Sequence, residues 1–445
     1  MKIVLIGAGS AMFTIGVVSD LIKAGIKAEL ALVDIDPIAL DTAKKLSEKM
    51  IHSGKSSIKL NAGTERRKLL RGATAVITTI GVGGRRAWEQ DVFIPRKYGI
   101  FMPVGDSVGP GGTSRALRMI PAMVDIARDV IDLAPDALFF NYANPMAPIC
   151  HAVNAVTGAS VVGLCIGTWE AIQYLSKTLK IETSELSFNA AGINHLTWFS
   201  EIYANGRDAR PKLKDHAHRV VENTLFAVDQ ANAGMASIPH CGKPFESSFD
   251  HPFSWQCLDW FDAFPAPMDR HVTEFFPQLF RDGSYYGKTL GIDEFSFEET
   301  IRFGDKIYDD MRATAYLDKQ SGEQEQVVEI IQAILDNEKK VFFANLPNTG
   351  QAPNLPKSMI VETPALTDGL GIHAIQQSSL PIAAAGVVAA RFAWIQVVTE
   401  AAMEGNRGKF IQALILDGAV QSPDTALRLA EELILAHSAY LPKFN

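Results

Sequence analysis

Residues 2–25 read KIVLIGAGSAMFTIGVVSDLIKAG: an apolar run, a turn with two closely spaced glycines, and a second apolar pattern. This order predicts a buried strand, a tight turn and an amphipathic helix. Because Gly7 and Gly9 carry no Cβ, the backbone of the turn can approach a pyrophosphate closely, and the helix that follows Ser10 offers free N–H groups. The third glycine of the dinucleotide-binding pattern is missing, since Met12 stands there. Alone, the turn is weak support for a dinucleotide site.

A second apolar run, AELALVDID (28–36), follows about one helix later and ends in acidic residues. Asp34 or Asp36 could accept hydrogen bonds from a ribose diol, a feature that favours NAD over its 2′-phosphorylated relative. The competing interpretation is a glycine turn and an acidic strand end with structural roles only. Because strand, turn, helix, strand and acid occur in this order, we expect an NAD site.

The alternation of apolar runs and helical patterns continues through the first 165 residues. The runs are ATAVITTIG (73–81), DALFFNYANP (136–145) and SVVGLC (160–165), with the helical pattern TSRALRMIPAMVDIARDVIDLA (113–134) between the first two. This pattern predicts an α/β fold with a Rossmann-like, doubly wound, mainly parallel sheet. Ligands of such sheets bind at the carboxyl ends of the strands, so we expect Gly81, Asn144 and Cys165 to line one crevice.

Residues 81–116 are rich in glycine and proline, which predicts a long, shaped loop. The candidate charged side chains in this segment are Arg85, Arg86, Asp106 and Arg115. Arg118 follows directly after it. Arg115 and Arg118 would share one face if a helix begins at Thr113 or Ser114. A solvated basic face is the competing interpretation for any one of these arginines.

The pattern changes near residue 185, which predicts two domains, 1–184 and 185–445. The segment ELSFNAAGINHLTWFSEIYANG (185–206) alternates apolar and polar residues and indicates strands. We expect mainly helix at 213–235 and 269–345, strands and loops at 342–366, and a helical C-terminus from about 382. No repeat or low-complexity linker is visible, so the second lobe is expected to be an interlocked α+β unit.

Two stretches of this lobe carry candidate chemistry. GINHLTW (192–198) contains His195, and a Cys165 thiolate together with this imidazole could hold one transition metal and leave positions open for a substrate. Each residue alone is more often part of a core. APMDRHVTEFFPQLF (266–280) contains Asp269, Arg270, His271 and Glu274. A histidine that shares a helix face with a carboxylate is a plausible base near neutral pH, whereas the competing interpretation makes Asp269 a helix cap.

Composition excludes several classes of protein. The chain has 445 residues, 47% hydrophobic and 21% charged, and a net charge of −8, so nucleic acid or an anionic membrane is not expected as a partner. Its N-terminus lacks a signal-peptide pattern, and no uninterrupted apolar stretch approaches the about 18–20 residues that span a bilayer. The four cysteines show no CxxC pairing, so a disulfide framework is not expected. A cytoplasmic location is the expectation.

Taken together, the motifs have one explanation. IGAGSxxFT, GDSVGPGG, NYANPM, a cysteine that closes a strand, GINHLTW, DRHVTEF and NLPNTG occur in the order found in glycoside hydrolase family 4, and the chain resembles that family over roughly residues 1–440. The resemblance implies a fold similar to lactate and malate dehydrogenases, a glycosidase activity, and NAD and a divalent metal, usually manganese, as cofactors. DRHVTEFFP and GQAPNLP look closest to the α-galacturonidase branch, whose substrates carry a carboxylate at carbon 6.

The resemblance also implies an oxidoreductive route, an exception to hydrolysis by two carboxylates. NAD takes a hydride from carbon 3 of the sugar, a base removes the acidified proton at carbon 2, and the aglycone leaves from carbon 1. Water then adds and the same NADH reduces carbon 3, so there is no net redox change.

The family pattern assigns roles to positions of this sequence. Cys165 and His195 would hold the metal, His271 would be the base, and Asp269 is the second choice for the base. The cofactor would contact Gly7, Gly9, Ser10, Phe13, Asp34, Gly81 and Asn144. The substrate would contact Asp106, Asn144, Asn194, Arg85, Arg115 and Arg270.

One position departs from the pattern. Many α-specific family members place an acid immediately after the cysteine, where it protonates the leaving oxygen, but Ile166 stands there in this chain. The departure suggests a divergent relative, such as the NAD-dependent sulfoquinovosidases, which act on a 6-sulfonated sugar. A carboxylate and a sulfonate at carbon 6 both need a cationic recess, for which Arg85, Arg86, Arg115, Arg118 and Lys243 are candidates.

Two other functions are compatible with the motifs. A dehydrogenase of the malate or lactate type would release NADH, and it needs no Cys/His metal pair. A non-catalytic NAD-binding regulator is favoured only by Ile166. A homodimer or homotetramer is expected by analogy with the family, with a small anionic glycoside as the partner.

Overall fold

The computed structural model describes residues 1–10, 13–239, 241, 245–313 and 326–444, so that Met12 and Lys243 lie outside the described residues. The first part of the chain forms a parallel sheet in the order β3-β2-β1-β4-β5-β6. Its strands are β1 (Lys2–Ile6), β2 (Glu29–Val33), β3 (Lys59–Gly63), β4 (Ala75–Thr78), β5 (Leu138–Asn141) and β6 (Val162–Gly163). The order reverses between β1 and β4, which is where a doubly wound sheet opens its ligand crevice. The predicted fold class is confirmed.

Helices cover both faces of this sheet. They are α1 (Phe13–Lys23), α2 (Pro37–Ser53), α3 (Arg66–Leu70), α4 (Gly84–Arg96), α5 (Gly109–Leu133), α6 (Met146–Thr157) and α7 (Gly167–Leu179). Along β1, Val4 and Ile6 belong to the core on one face, and Ile3 and Leu5 belong to the core on the other. A strand buried on both faces needs apolar side chains at successive positions, which explains the continuous run IVLI.

The prediction of a long loop at 81–116 is wrong. The segment contains all of α4 and the beginning of α5, and only residues 97–108 connect them. Some of the glycines and prolines that suggested a loop stand at helix starts, whereas Gly99, Pro103 and Gly105 lie in the short connection. Gly83 precedes α4 in a left-handed conformation, φ 82°, and Pro110 lies in the first turn of α5, where a missing N–H costs no helical hydrogen bond.

The sheet continues without a break into the second part of the chain, in the order β6-β13-β14-β7-β8-β10 with antiparallel pairing. These strands are β7 (Leu186–Ile193), β8 (Leu196–Ala204), β9 (Arg207–Asp208), β10 (Phe264–Ala266), β11 (Ser284–Tyr285), β12 (Lys288–Thr289), β13 (Val341–Pro347), β14 (Ile360–Asp368) and β15 (Gly371–Ala374). β9 pairs with β8, β15 pairs with β14, and β11 and β12 form a separate hairpin. One sheet therefore crosses the predicted domain boundary.

The remaining helices surround this extension. They are α8 (Arg210–Asn232), α9 (Pro252–Phe261), α10 (Asp269–Val272), α11 (Phe297–Arg312), α12 (Val327–Leu335), α13 (Ile382–Glu404), α14 (Arg407–Asp417) and α15 (Pro423–Ala436). The expectation of helix over 269–345 is right for α11 and α12, but the segment also contains the β11–β12 hairpin and most of β13.

One helix within the described residues, α13, is long and apolar enough to cross a membrane by length and composition alone. Its buried face packs against α5, α6 and α14. Arg391, near its middle, donates to the carboxylate of Asp417 at 2.8 Å. Asp417 in turn accepts from the N–H of Gly109 at 2.8 Å. This helix therefore helps to hold the N-terminus of α5, which follows the segment that carries Asp106.

Candidate active site

A cleft of about 1090 Å³ opens at the carboxyl ends of β1, β2 and β4. Of the residues predicted to contact a cofactor, Gly7, Gly9, Ser10, Asp34 and Gly81 line it. Arg85 and Arg115 line it as well. The volume and the position at the reversal of strand order suit a dinucleotide.

The glycines of the first turn are required by the close packing around them. Gly7 has φ +93°, and a Cβ there would lie 2.8 Å from the backbone nitrogen of Ile80. A Cβ on Gly9 would lie 2.7 Å from Cβ of Ala39. The turn is thus a backbone cradle open to a ligand on its other side, and it fits the pyrophosphate of NAD.

Two of the predicted cofactor contacts have packing roles in the structure. The carboxylate of Asp34 accepts hydrogen bonds from the N–H of Gly9 at 2.7 Å and of Asp36 at 2.9 Å. It therefore closes the glycine turn, and its contact with a ribose stays a prediction. Phe13 is buried, and its ring centroid lies 4.5 Å from that of Tyr142, so its contact with the cofactor also stays a prediction.

A second group of side chains lies beside the cleft. Donor atoms of Asp106, His195 and His271 lie within 4.8 Å of one another, and the rings of the two histidines have their centroids 4.0 Å apart. Two imidazoles and a carboxylate form a donor set that suits a divalent transition metal and leaves coordination positions open. We call this set the donor cluster.

The hairpin between β7 and β8 positions His195. Ile193 pairs with Leu196, so Asn194 and His195 form a two-residue turn. His195 has φ +68°, an unfavourable conformation for a side chain with a Cβ, and such strain is concentrated at functional sites. A Cβ on Gly192 would lie against the carbonyl oxygen of Leu196, which explains the glycine in GINHL.

Ser107 fixes the orientation of the imidazole. Its Oγ lies 2.7 Å from Oδ1 of Asp106, to which it donates, and 2.8 Å from Nδ1 of His195. Because the hydroxyl has one proton and gives it to the carboxylate, Nδ1 of His195 is the donor in the second hydrogen bond. Nε2 then carries the free lone pair that a metal needs.

Asn144 connects the donor cluster to the cleft. Its Nδ2 donates to Oδ2 of Asp106 at 3.0 Å, and its backbone carbonyl accepts from Nε of Arg115 at 3.0 Å. Arg115 itself lines the cleft. Gly81 thus lines the cleft and Asn144 lies on the cluster side, and Arg115 joins the two. That Cys165 shares this crevice stays a prediction.

Burial sets the charge of the cluster. It lowers the pKa of His195 to about 4 and the pKa of His271 well below its usual value. Both imidazoles are therefore neutral near pH 7, the form that binds a metal or accepts a proton.

Glu274 holds the backbone next to Asp106 of the donor cluster, a role that the sequence did not indicate. Its Oε1 accepts from the N–H groups of Val104 and Gly105 at 2.7 and 2.8 Å, so it fastens the segment directly before Asp106. Burial raises the pKa of Glu274 to about 8, against the effect of these two N–H donors. The sequence predicts only that Glu274 shares a helix face with His271.

Cys165 lies outside the group of three. Its Sγ accepts a hydrogen bond from the N–H of Gly167 at 3.4 Å, and burial, followed by the charge of Glu362, raises the pKa of the thiol. Asn194 lies near both the thiol and the Glu362 carboxyl, although neither contact has full hydrogen-bond geometry. Cys165 as a metal ligand and Asn194 as a substrate contact stay predictions.

Glu362, which carries no motif in the sequence, acts electrostatically on Cys165. It is buried, and its carboxylate accepts from Oγ1 of Thr197 at 2.7 Å and from Nδ2 of Asn345 at 2.8 Å. Only the fold brings these three strands together, so no local pattern could have indicated it.

Asp269 is corrected as a candidate base. It is fully buried, and its carboxylate accepts from the N–H groups of Phe253 and Ser254 at 2.9 and 2.7 Å. The hydroxyls of Ser254 and Tyr285 donate to it as well, both at 2.5 Å. A carboxylate held by four donors has its lone pairs occupied, so its role is to anchor the start of α10, next to His271.

The candidate arginines divide into two groups. Arg85 and Arg86 pair with Asp305, and Arg118 pairs with the buried Asp91. Arg115 and Arg270 instead act electrostatically on the cluster: Arg115 couples to Asp106, and Arg270 to His195 and His271. Arg115 and Arg270 thus act on the donor cluster, whereas Arg85, Arg86 and Arg118 form ion pairs, and Arg85 also lines the cleft.

Comparison with known proteins decides the family. The profile described as "Family 4 glycosyl hydrolase" matches residues 2–181, and that of "Family 4 glycosyl hydrolase C-terminal domain" matches residues 190–420. The chain belongs to glycosyl hydrolase family 4. It is a glycosidase, and the resemblance drawn from its motifs is confirmed.

Its relatives in the family differ in substrate. An α-glucosidase of Erwinia rhapontici is 31% identical over 436 residues, covering 94% of this chain and 93% of that protein. An α-galacturonidase of Bacillus subtilis is 30% identical over 436 residues, covering 95% and 94%. The family 4 assignment therefore does not by itself name the sugar.

Solved structures agree on the fold. The structure of lplD from Bacillus subtilis has a TM-score of 0.84 at 27% identity, covering 97% of this chain and 99% of that one. A 6-phospho-β-glucosidase from Thermotoga maritima, solved with manganese, NAD+ and glucose-6-phosphate, has a TM-score of 0.80 at 19% identity and covers 99% of each chain.

The donor cluster predicts the residues on which metal affinity depends. We expect Asp106→Ala and His195→Ala each to weaken Mn²⁺ binding at least about 10-fold, because each removes a ligand atom or the group that orients one. Titration of the purified protein with Mn²⁺, followed by electron paramagnetic resonance, measures the affinity. His218→Ala, an exposed histidine on α8, is the matched control.

The same titration separates the remaining roles. His271→Ala lowers the affinity if this imidazole is a third ligand and leaves it unchanged if it is the predicted base. Cys165→Ser tests the thiol in the same way. Unchanged affinity in both Asp106→Ala and His195→Ala would contradict the cluster as a metal site.

Proposed function

We propose that this family 4 enzyme hydrolyses glycosides that carry an anion at carbon 6, by the oxidoreductive route and with NAD and manganese as cofactors. The observation that carries the proposal is the connection between the two parts of the site. Arg115 lines the cofactor cleft and donates to Asn144, and Asn144 donates to Asp106 of the donor cluster. A sugar at this junction would contact the nicotinamide and the metal together.

The residues present fit both cofactors. The Gly7–Gly9 turn offers a backbone cradle to the pyrophosphate, and the donor cluster offers the carboxylate of Asp106 and the neutral imidazole of His195 to the metal. When bound, NAD accepts and returns a hydride, and a divalent metal polarises the sugar oxygens it contacts. The relatives named above support the family chemistry, and among them the α-galacturonidase supports an anionic substrate.

His271 is our candidate for the group that takes the proton from carbon 2. It lies against His195 and has a neutral ring, so a lone pair is available next to the oxygens that the cluster would hold. The short helix that carries it begins at Asp269, whose buried carboxylate ties the start of this helix to α9.

The leaving oxygen needs a proton that Ile166 cannot give. Glu170 lies in the first turn of α7, four residues after Ile166, and its N–H donates to the carbonyl of Ile166 at 3.1 Å. Although the side chain reaches solvent, desolvation by the surrounding protein raises its pKa, and Arg270 partly offsets this shift. It also acts electrostatically on Cys165. A carboxyl with a raised pKa beside the site is suited to act as the acid.

Arg270 is our candidate for the cation that recognises the carbon-6 anion. Its charge acts on His195, His271, Glu170 and Glu274, so it is central to the cluster side of the site. Its guanidinium lies over the ring of Phe245, with 4.8 Å between Cζ and the ring centroid. An arginine can offer two parallel donors to a carboxylate or a sulfonate.

Aryl glycosides that differ at carbon 6 test the function directly. We expect nitrophenol release from uronides or 6-sulfonated glycosides that depends on both added NAD and Mn²⁺, with no accumulation of NADH, because the hydride is returned in each turnover. Hydroxymethyl and 6-phosphate glycosides complete the panel. Accumulation of NADH in proportion to product would instead indicate a dehydrogenase, and no release from any substrate would contradict the proposal.

The recognition of the anion depends on Arg270. We expect Arg270→Lys to raise the KM for the anionic glycoside about 10- to 100-fold, because a charged hydrogen-bond pair contributes about 1.5–3 kcal/mol. Steady-state kinetics on the best substrate of the panel measures the change. Arg219→Lys, an exposed arginine on α8, is the control. An equal change of KM in both variants would argue against this contact.

The proposed role of Glu170 can be tested by how turnover depends on the leaving group. We expect Glu170→Gln to lower turnover of alkyl or sugar aglycones about 10²- to 10⁴-fold, the range of general acid catalysis. Turnover of nitrophenyl glycosides should change little, because nitrophenolate leaves without protonation. Glu222→Gln, an exposed position on α8, serves as the control. A similar loss for both classes of aglycone would exclude Glu170 as the acid.

A further inference from the structure

The C-terminal segment, residues 437–444, contributes to the cofactor cleft. Tyr440 is one of the residues that line it, beside Val82, Gly83 and Gly84. The match to the C-terminal family profile ends at residue 420, so neither the family assignment nor a motif points to this segment.

The ring of Tyr440 lies directly on the turn that leads into α4. A Cβ built on Gly83 would lie 2.9 Å from Cε2 of Tyr440 and 3.2 Å from its Cζ. Gly83 also has φ +82°, which a side chain would disfavour. Glycine at this position therefore lets the aromatic ring form part of the cleft wall.

A buried ionic group ties this ring and the cleft together. Nε2 of His437 lies 2.9 Å from Oδ1 of Asp91, and both residues are buried. Asp91 pairs with Arg118, whose Nε donates to the carbonyl of Val82 at 2.9 Å. Asp91 and Arg118 thus connect His437, in the segment that carries Tyr440, to the carbonyl of Val82, which lines the cleft.

Two further contacts hold the segment after Tyr440. Leu441 is buried in the main core. The backbone of Lys443 lies so close to Gly405 that a Cβ there would overlap it, with 2.8 Å to the carbonyl carbon. A segment anchored on both sides of Tyr440 presents this residue to the cleft in a defined position.

The hydroxyl of Tyr440 is available to a ligand. The side chain belongs to a residue with 42% of its surface exposed, and no hydrogen bond to the hydroxyl is found among the described residues. A phenol hydroxyl both donates and accepts, and its ring provides a flat apolar surface. We propose that Tyr440 is a cofactor-contacting residue, whose ring walls the cleft beside Gly83 and whose hydroxyl donates to a phosphate or ribose oxygen of NAD.

This inference rests on the proposed use of NAD, and a binding measurement separates the two. Isothermal titration calorimetry of the full-length protein with NAD alone gives the Kd without any turnover. We expect Tyr440→Ala to raise the Kd about 10-fold or more and Tyr440→Phe to raise it about 3- to 10-fold, the effect of one lost hydrogen bond. Leu435→Ala, a neighbouring position on α15 with 75% exposure and outside the cleft, should leave the Kd unchanged.

Each outcome decides a different part of the inference. If the wild type binds NAD and both Tyr440 variants bind it within about twofold of the wild type, Tyr440 is not a contact. If only Tyr440→Ala loses affinity for NAD, the ring contact is supported and the hydrogen bond of the hydroxyl is overturned. Failure of the wild type to bind NAD would overturn the proposed function, and this inference with it. Thermal unfolding without NAD confirms that the variants fold, and if Tyr440→Ala does not, Tyr440→Phe decides.

Discussion

The site depends on the pairing of β13 with β6, which joins the parallel and the antiparallel parts of the sheet. Within the described residues, the register between these strands is given by one pair, Asn345 with Gly163. A Cβ on Gly163 would lie 2.9 Å from Cβ of Asn345, so glycine permits this approach. The amide of Asn345 donates to the carbonyl of Gly163 at 3.3 Å and to Glu362 at 2.8 Å. Through β14 and β7, this junction sets where the hairpin with His195 lies relative to the cofactor cleft.

Buried carboxylates with all their partners present give the site its rigidity. Glu362 holds Thr197 and Asn345, and Asp269 holds the first turn of α9 and the hydroxyl of Tyr285. Each such group is costly to bury, and a buried group left without its partner costs about 1–3 kcal/mol, more when it is charged. Small displacements of β8, β13 or α9 would therefore break several hydrogen bonds at once. The donor atoms are held in place before any ligand arrives, which is the condition for selective metal binding.

The fold could be predicted because its signal is local. The run IVLI, the glycine turn and the acidic strand end follow one another within 36 residues, and the parallel sheet follows from their repetition. His195 and Asp106 could also be found, since each stands in a conspicuous motif. Glu362 and Tyr440 could not, because their importance comes from contacts between segments far apart in sequence. For Asp269 the local pattern predicted the wrong role. An acid beside a histidine is a familiar catalytic pattern, but in this fold four hydrogen-bond donors contact the Asp269 carboxylate.

The electrostatics of the site oppose those of the whole molecule. The chain carries a net charge of −8, which repels an anionic substrate at long range, although salt screens that field within about 10 Å. Near the donor cluster the balance differs: both imidazoles are neutral, and Glu274, with a pKa of about 8, is largely protonated at pH 7. Arg270 and Arg115 therefore act beside few ionised acids, with Asp106 engaged by Asn144 and Ser107. Short-range attraction in this buried region can exceed the screened repulsion of the distant surface, so an anion at carbon 6 is compatible with an acidic protein.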